Sequence, residues 1–568
     1  MSTKPDIDTP VTYRHLLAGI LLLALILRLW GIWNVEHTDE FNEVFEALRV
    51  DSGHFNYERL FKRFYLYGLA VEYAFYYAIG WLAGAFSSPL NFAEAIVRDM
   101  KPLFLMGRVT SMVAGVTSVY LLYDLGSRLY SAQVGLLASL TLALDMAHVE
   151  VSQHARVDAT LILLILLCFH FLVRLCEGRD KRLRDCFWTG LLLGLAIQTK
   201  INAVVLICPV LLAYWFSRRT PGSARNHSGV EIAALAGSSI LGFVLGNPPV
   251  VAALPNFILR TWQLSGVYFE SRDTVSSSSI GFVVYLRFLF SQMGLPLFIF
   301  WLVGTAYALV KRSKSDILML SFIIPFYLVM GATRYRLAAH YILPAIPFFF
   351  LIAWRLALDV SRYFENWFHS FRLRPALVIS WVLLLPLVPG LLIYELSISG
   401  QNTRHLAKSW IERHIPPGSR ILMDSGKSIN SFSPPIAEDK ATLQRTIARA
   451  EENIANGIIV HRMVDQTGLL YYKLLLKTVP PVSYGVTSTA FGLYVKDLSH
   501  YLNNGYEYFV ISKTMAESYL YPQASQRWPQ SAWFYAAVFK SERLELLQVI
   551  SPSTFHAGDT FYIFRAKS

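Results

Sequence analysis

The chain has 568 residues, 54% of them hydrophobic and only 16% charged, with a formal net charge of +12. That composition, with a positive mean hydropathy, excludes an ordinary soluble protein and reads as a polytopic membrane protein. Lys and Arg retained in cytoplasmic loops explain the positive excess, and no basic run is interleaved with aromatics, so no nucleic-acid partner is expected.

In chain order, the first apolar run covers 12–33. It is too long for a removed signal peptide and lacks a small-residue cleavage site, so it is expected to stay as an anchor. It runs directly into "VEHTDEFNEVFEALRVDSG" at 35–53, where Glu36, Asp39, Glu40, Glu43 and Glu46 crowd the exit of a membrane helix. Further apolar runs follow at 65–86, 104–126, 132–147, 158–175, 187–217, 230–252, 281–310, 316–331, 341–357 and 375–396. A crossing takes roughly 20 residues for about 30 Å of hydrocarbon. The four cysteines, Cys168, Cys176, Cys186 and Cys208, all fall in or beside these runs and make neither a disulfide framework nor a zinc spacing.

Sidedness comes from the basic loops. Arg174, Arg179, Lys181, Arg182 and Arg184, then Arg218, Arg219 and Arg225, then Lys311, Arg312 and Lys314, and finally Arg355, Arg362, Arg372 and Arg374 should share the cytoplasmic face. This holds only if 65–86, rich in Tyr and carrying Glu72, lies along the interface, and if 187–217 is a hairpin turning near Lys200. The expected fold is therefore a polytopic α-helical membrane protein with about 11 crossings plus one interfacial helix. The N-terminus is expected in the cytoplasm, and residues 1–396 form the membrane domain with its first outer loop at 34–103. From 397 to 568 the hydropathy falls, and strand-like "SRILMDS", "GIIVHRMV", "YEYFVIS" and "TFYIFRA" alternate with helix-like "TRHLAKSWIERHI" and "TLQRTIARAEENIANG". This reads as a soluble extracytoplasmic α/β domain. Without a Gly-rich phosphate loop, HExxH or nucleophile motif, it is expected to be structural or to guide an acceptor.

Polar residues collect at the outer membrane edge: Asp39 and Glu40, Arg156 and Asp158 in "EVSQHARVDAT", Lys200, Asn247 in "GNPPVV", and Arg334, Arg336, His340 and Tyr341 in "TRYRLAAHYILPAIP". A charge held there without a partner costs a few kcal/mol, which makes such residues candidates for function. Outside the cytoplasmic membrane there is no pool of nucleotide sugars, so a transferase there needs a donor activated within the lipid. A polyprenyl-phosphate sugar fits. Its phosphate leaving group calls for cations and its acceptor hydroxyl for a carboxylate base, commonly an effect of about 10²- to 10⁴-fold.

"HTDE" after the first span, "RVDAT", "GLAIQTKINAVVLICP", "GNPPVV" and "HYILPAIPFFFLIA", in that order and on one membrane face, resemble bacterial lipid-carrier-dependent glycosyltransferases. That group is related to the protein O-mannosyltransferases and the aminoarabinose transferases of lipid A, within the GT-C superfamily. The likeness covers 12 to about 357, and more loosely the tail at "LAKSWIERHIPPGSRILMDS". The resemblance implies an inverting displacement with Asp39 as general base and Glu40 supporting the acceptor or the loop, and Asp158 as a second acidic position. It places His340 and Tyr341 where the family often has Arg-Tyr before Leu-Pro. With His in place of Arg, the phosphate-binding part passes to Arg334 or Arg336. "WWDYG" of the oligosaccharyltransferases is absent, and the tail shows no β-trefoil repeats.

Each candidate also has a structural reading. Asp39 and Glu40 suit the first turn of the helix beginning "FNEVFEALRV". Glu36, Glu43 and Glu46 recur on one side of it and read as a solvated face, and His148 and His154 as interfacial polar residues. Asp158 could cap a helix beside Arg156, Lys200 could snorkel to the interface, and Asn247-Pro-Pro could simply end a helix. No cofactor is indicated, although carboxylates of this kind also hold Mg²⁺ or Mn²⁺. The expected partners are the lipid-linked sugar donor, membrane lipids, and a glycan, lipid or protein acceptor. Two other classes fit the charge placement: a lipid or glycan transporter or flippase, although no internal repeat is visible, and a non-catalytic envelope assembly factor.

Overall fold

The computed structural model describes residues 11–51, 62–177, 182–219, 228–269, 281–334, 338–367, 375–424, 433–456, 466–493 and 495–567. Arg336 and the strand-like run at 457–464 lie outside these. The chain folds as two compact units. One comprises Met1–Trp30, Asn56–Gly68 and Gly107–Tyr394, and the other Gly31–Phe55, Leu69–Met106 and Glu395–Ser568.

The first unit is helical. Among the described residues eight helical segments are long and apolar enough to cross a membrane: Lys101–Leu129, Val157–Cys176, Ile201–Arg218, Gly229–Gly246, Gly281–Lys311, Lys314–Gly331, Leu343–Phe364 and Pro375–Ser397. Ala132–Leu144 and Met146–Gln153, bent by 61° at Asp145, make a ninth if they are one span. The chain is a multi-pass membrane protein. The first apolar run forms the helix Val11–Leu29 and the 65–86 run the helix Arg63–Leu82, and neither is among the eight.

Val157–Cys176 and the 343–364 segment are mostly buried and supply the centre of the core. Phe169 meets Phe348 at 4.5 Å between ring centres, and Trp354, fully buried, donates its ring N–H to the Thr141 hydroxyl. Gly190 and Gly194 bring the helix Arg182–Thr199 against Ser228–Gly246, where a Cβ on either would collide with Leu235, Ser238 or Ser239. Small residues four apart let two helix backbones approach closely, and this is such a seam.

Two breaks place polar side chains. The run expected to turn near Lys200 is interrupted there: Lys200 is extended, at φ −157° and ψ 127°, between Arg182–Thr199 and a 3₁₀ turn at Ile201–Leu206. Ser228–Gly246 stops before the Pro248–Val250 turn, as proline requires.

The second unit holds a five-stranded mixed sheet of order β2-β1-β3-β5-β4, with β1 Arg420–Met423, β2 Gly485–Ser488, β3 Tyr508–Ser512, β4 Leu544–Ile550 and β5 Phe561–Ala566. β1 runs parallel to β2 and β3, while β5 is antiparallel to β3 and β4. β1 and β3 are covered on both faces, which explains their unbroken apolar runs. Leu422 and Phe509 pack with Phe534 and Tyr535 on one face; Ile421, Met423 and Val510 pack with Ile411 and Tyr484 on the other.

The same unit contains the acidic helix Thr38–Asp51. Its Phe41 and Phe45 pack on Leu443, Ile447 and Tyr471 from the helices Lys440–Ala455 and Gln466–Lys477.

Candidate functional site

The acidic stretch sorts into four different environments. Glu40, 2% exposed, accepts the His37 backbone N–H at 3.0 Å, and His37 Nδ1 accepts the Asp39 N–H at 3.1 Å. A Glu in the first turn reaching back to the residue before the helix is one half of a capping box, so Glu40 is engaged in starting its helix. The Asp39 side chain keeps 38% of its surface exposed, with Oδ2 3.9 Å from His37 Nδ1.

Glu36, Glu43 and Glu46 do not form the solvated face expected. Glu36 pairs with Arg404 at 3.0 Å and His405 at 2.6 Å. Glu43 and Glu46 are buried, and Glu46 accepts from Arg49 at 2.6 Å, whose guanidinium lies 5.1 Å from the Phe45 ring centre. The charges of Glu36 and Glu46 are thus compensated by basic side chains instead of by water.

A second group sits in the helical unit. Asp158, 2% exposed, receives Lys200 Nζ on Oδ1 at 2.8 Å and Arg156 Nη2 on Oδ2 at 3.1 Å. Both carboxylate oxygens are thus engaged by cations, which makes Asp158 the counterion that orients them. A guanidinium and an ammonium are the donor types that charge-assisted binding of a phosphate uses. Lys200 Nζ also lies 4.6 Å from the Tyr341 ring centre, so it is held on two sides instead of snorkelling. Tyr341 bonds the Tyr268 hydroxyl at 3.2 Å, and the His340 ring centre is 4.4 Å from that of Tyr341. Arg334 joins through its backbone N–H, which donates to the Tyr268 carbonyl at 2.9 Å.

The structure therefore gathers Arg156, Asp158, Lys200, His340 and Tyr341, attaches Arg334 by its main chain, and leaves Arg336 outside the described residues. Asp39 and Glu40 belong to the other unit. Tyr268 was missed because a lone Tyr near the end of an amphipathic run carries no signal of its own.

A buried polar network was missed as well. Arg28 Nη2 meets His148 Nδ1 at 2.7 Å and its Nη1 donates to the Ala24 carbonyl at 3.0 Å, while Asp145 Oδ1 accepts the His148 N–H at 2.8 Å. Gln153 Nε2 donates to the Leu27 and Trp30 carbonyls at 2.8 and 2.9 Å, and its Oε1 accepts from Tyr394 at 2.7 Å. His148 and His154 are accordingly buried in the protein: Arg28 meets Nδ1 of the first ring and the Glu150 carbonyl meets Nδ1 of the second. The signal available was the charged Arg28 inside "ILRLW", a residue that must find partners in an apolar surrounding. Among the described residues no group of three or more His, Cys, Asp or Glu side chains is placed to hold a metal ion.

The family model of dolichyl-phosphate-mannose-protein mannosyltransferases matches residues 103–243, a stretch that includes Arg156, Asp158 and Lys200. No curated protein matches the chain. The chain is similar to the structure of ArnT from Cupriavidus metallidurans bound to undecaprenyl phosphate, at 11% identity and TM-score 0.50 over 98% of each chain. It is also similar to the apo oligosaccharyltransferase of Archaeoglobus fulgidus, at 11% identity and TM-score 0.50 over 92% of this chain and 72% of that one. The chain has the GT-C glycosyltransferase fold. In this chain the membrane helices precede a C-terminal sheet, and the stretch matched by the mannosyltransferase model carries the buried cation group.

Proposed function

We propose that this protein is a membrane glycosyltransferase that moves a sugar from a polyprenyl-phosphate carrier to an acceptor hydroxyl on the extracytoplasmic side, with inversion at the anomeric carbon. In this reading it resides in the cell (inner) membrane, with the N-terminus cytoplasmic and the C-terminal sheet outside. The carrying observation is the Arg156–Asp158–Lys200 group: two cations fixed by one buried carboxylate, inside the matched stretch. The dolichyl phosphate of the family's description and the undecaprenyl phosphate bound by ArnT support a lipid phosphate as the anion.

The acceptor oxygen attacks the anomeric carbon as its proton passes to the Asp39 carboxylate. The bond from that carbon to the phosphate oxygen breaks, and its electron pair leaves with the phosphate. Arg156 and Lys200, with Arg334 or Arg336, offset the charge that develops there. Glu40 supports the loop by fixing the helix start. His340 and Tyr341 shape the surroundings of Lys200.

The test is sugar transfer by the full chain in nanodiscs, supplied with polyprenyl-phosphate hexoses and pentoses. Asp39→Asn is expected to lower turnover by about 10²- to 10⁴-fold while the protein stays folded and still binds polyprenyl phosphate. Undiminished transfer by Asp39→Asn, or lipid movement with no glycosidic product, would overturn the reading.

A further inference from the structure

A partly open cavity of about 80 Å³ lies in the second unit, lined by Glu438, Tyr471, Tyr472, Leu475, Val479 and Pro480 among others. The main chain on either side of Glu438 is held by the neighbouring strand segment. Tyr484 N–H donates to the Ala437 carbonyl at 2.9 Å and Asp439 N–H to the Tyr484 carbonyl at 2.8 Å. Asp439 in turn caps Lys440–Ala455 by accepting the Thr442 N–H at 2.7 Å. Glu438 itself is 7% exposed.

Tyr471 and Tyr472 come from Gln466–Lys477, with ring centres 5.7 Å apart. Burial first, and the Glu438 charge after it, pushes the Tyr472 phenol upward, so it is a neutral hydroxyl at any physiological pH. On its far side Tyr471 meets Phe45 edge-on at 5.8 Å, and Phe45 belongs to Thr38–Asp51, the helix that carries Asp39.

A buried carboxylate and neutral phenols lining one cavity with the apolar Leu475, Val479 and Pro480 match one kind of ligand: a ring with hydroxyls along its edge and C–H groups on its face. The volume admits the edge of one such ring. Among the described residues no Lys or Arg lines the cavity, and a carboxylate repels phosphate, so the anionic donor is disfavoured here. We infer that this cavity is a subsite for a neutral sugar ring of the acceptor, making a glycan the acceptor class. The inference rests on the transferase reading above and deepens it.

The test uses the full chain in nanodiscs, with methyl hexopyranosides and methyl pentopyranosides as probes and saturation-transfer NMR as readout. At least one glycoside is expected to receive saturation on its ring C–H protons. Glu438→Gln is expected to weaken binding about tenfold or more, as loss of a hydrogen bond to a charged group does. Tyr472→Phe, which keeps the packing volume, covers the case in which Glu438→Gln does not fold, and Leu475→Trp is expected to block the cavity. Asp39→Asn should bind the glycoside like the unaltered protein, so a failed base assignment and a failed subsite read differently. No saturation of any glycoside, binding unchanged in both Tyr472→Phe and Leu475→Trp, or competition by a serine-containing peptide alone would overturn the subsite.

Discussion

Asp39 and Glu40 are neighbours of the same charge, yet they do different work. Glu40 accepts the His37 N–H and is buried, whereas Asp39 keeps more than a third of its side chain exposed. Glu40→Ala should therefore cost about 1 kcal/mol, the usual loss of a cap, and Glu40→Gln much less because its amide oxygen still accepts. Thermal unfolding of the purified chain checks both. Asp158 presents the opposite risk, since removing a buried partner strands the charges it held. Asp158→Asn is expected to destabilise the protein by roughly 3–5 kcal/mol, and the double change Asp158→Asn with Lys200→Met by less than that. Equal losses would mean the two side chains are not coupled.

At the end of β1, Asp424 accepts hydrogen bonds from Tyr535 at 2.5 Å, Thr489 at 2.9 Å and the Ser512 N–H at 3.2 Å. Burial outweighs them and pushes its carboxyl up to about 7. An unfolded Asp titrates near about 4, so between these values the folded form holds a proton that the unfolded chain does not. The contribution is complete below the lower value and is lost as pH rises through the upper one. Thermal midpoints should fall over that window, and Asp424→Asn should flatten the slope.

Among the elements, the seam between Arg182–Thr199 and Ser228–Gly246 depends on the absence of side chains at Gly190, Gly194 and Gly242. Gly194→Leu should cost about 1–3 kcal/mol or more by overpacking, lowering the folded yield in detergent, whereas Gly229→Leu, with nothing within 4 Å, should not. "GLLLG" at 190–194 was visible in the sequence, but its partner helix was not. The strands show the same division. β1, β3 and β5 announce themselves as apolar runs because they lie inside the sheet, while β2, "GVTS", is short and polar and β4, "LELLQVI", is a bulged edge strand with exposed positions. Such edge strands carry little hydrophobic pattern and owe their conformation to the neighbour they pair with.

For the whole molecule, sidedness governs the chemistry, since a lipid-borne donor is required only where nucleotide sugars are absent. In a background with Cys168, Cys176, Cys186 and Cys208 replaced, Glu542→Cys should react with a membrane-impermeant maleimide in intact cells, and Lys311→Cys only after permeabilisation. The reverse pattern would remove the basis for the donor class. The breaks at Lys200 and at Asn247-Pro-Pro were legible because proline and a lone charge in an apolar run are local signals.

The sequence by itself determined the membrane class, the helix positions, the expected sidedness and the inner strands, because hydropathy, charge bias and period are properties of consecutive residues. Only the tertiary structure decided which carboxylates are engaged. Glu36 finds Arg404 across 368 positions of sequence, Asp158 finds Lys200 across 42, and Glu46 is buried beside Arg49. A charged side chain takes its character from the groups that replace its water, and those groups come together only when the chain folds.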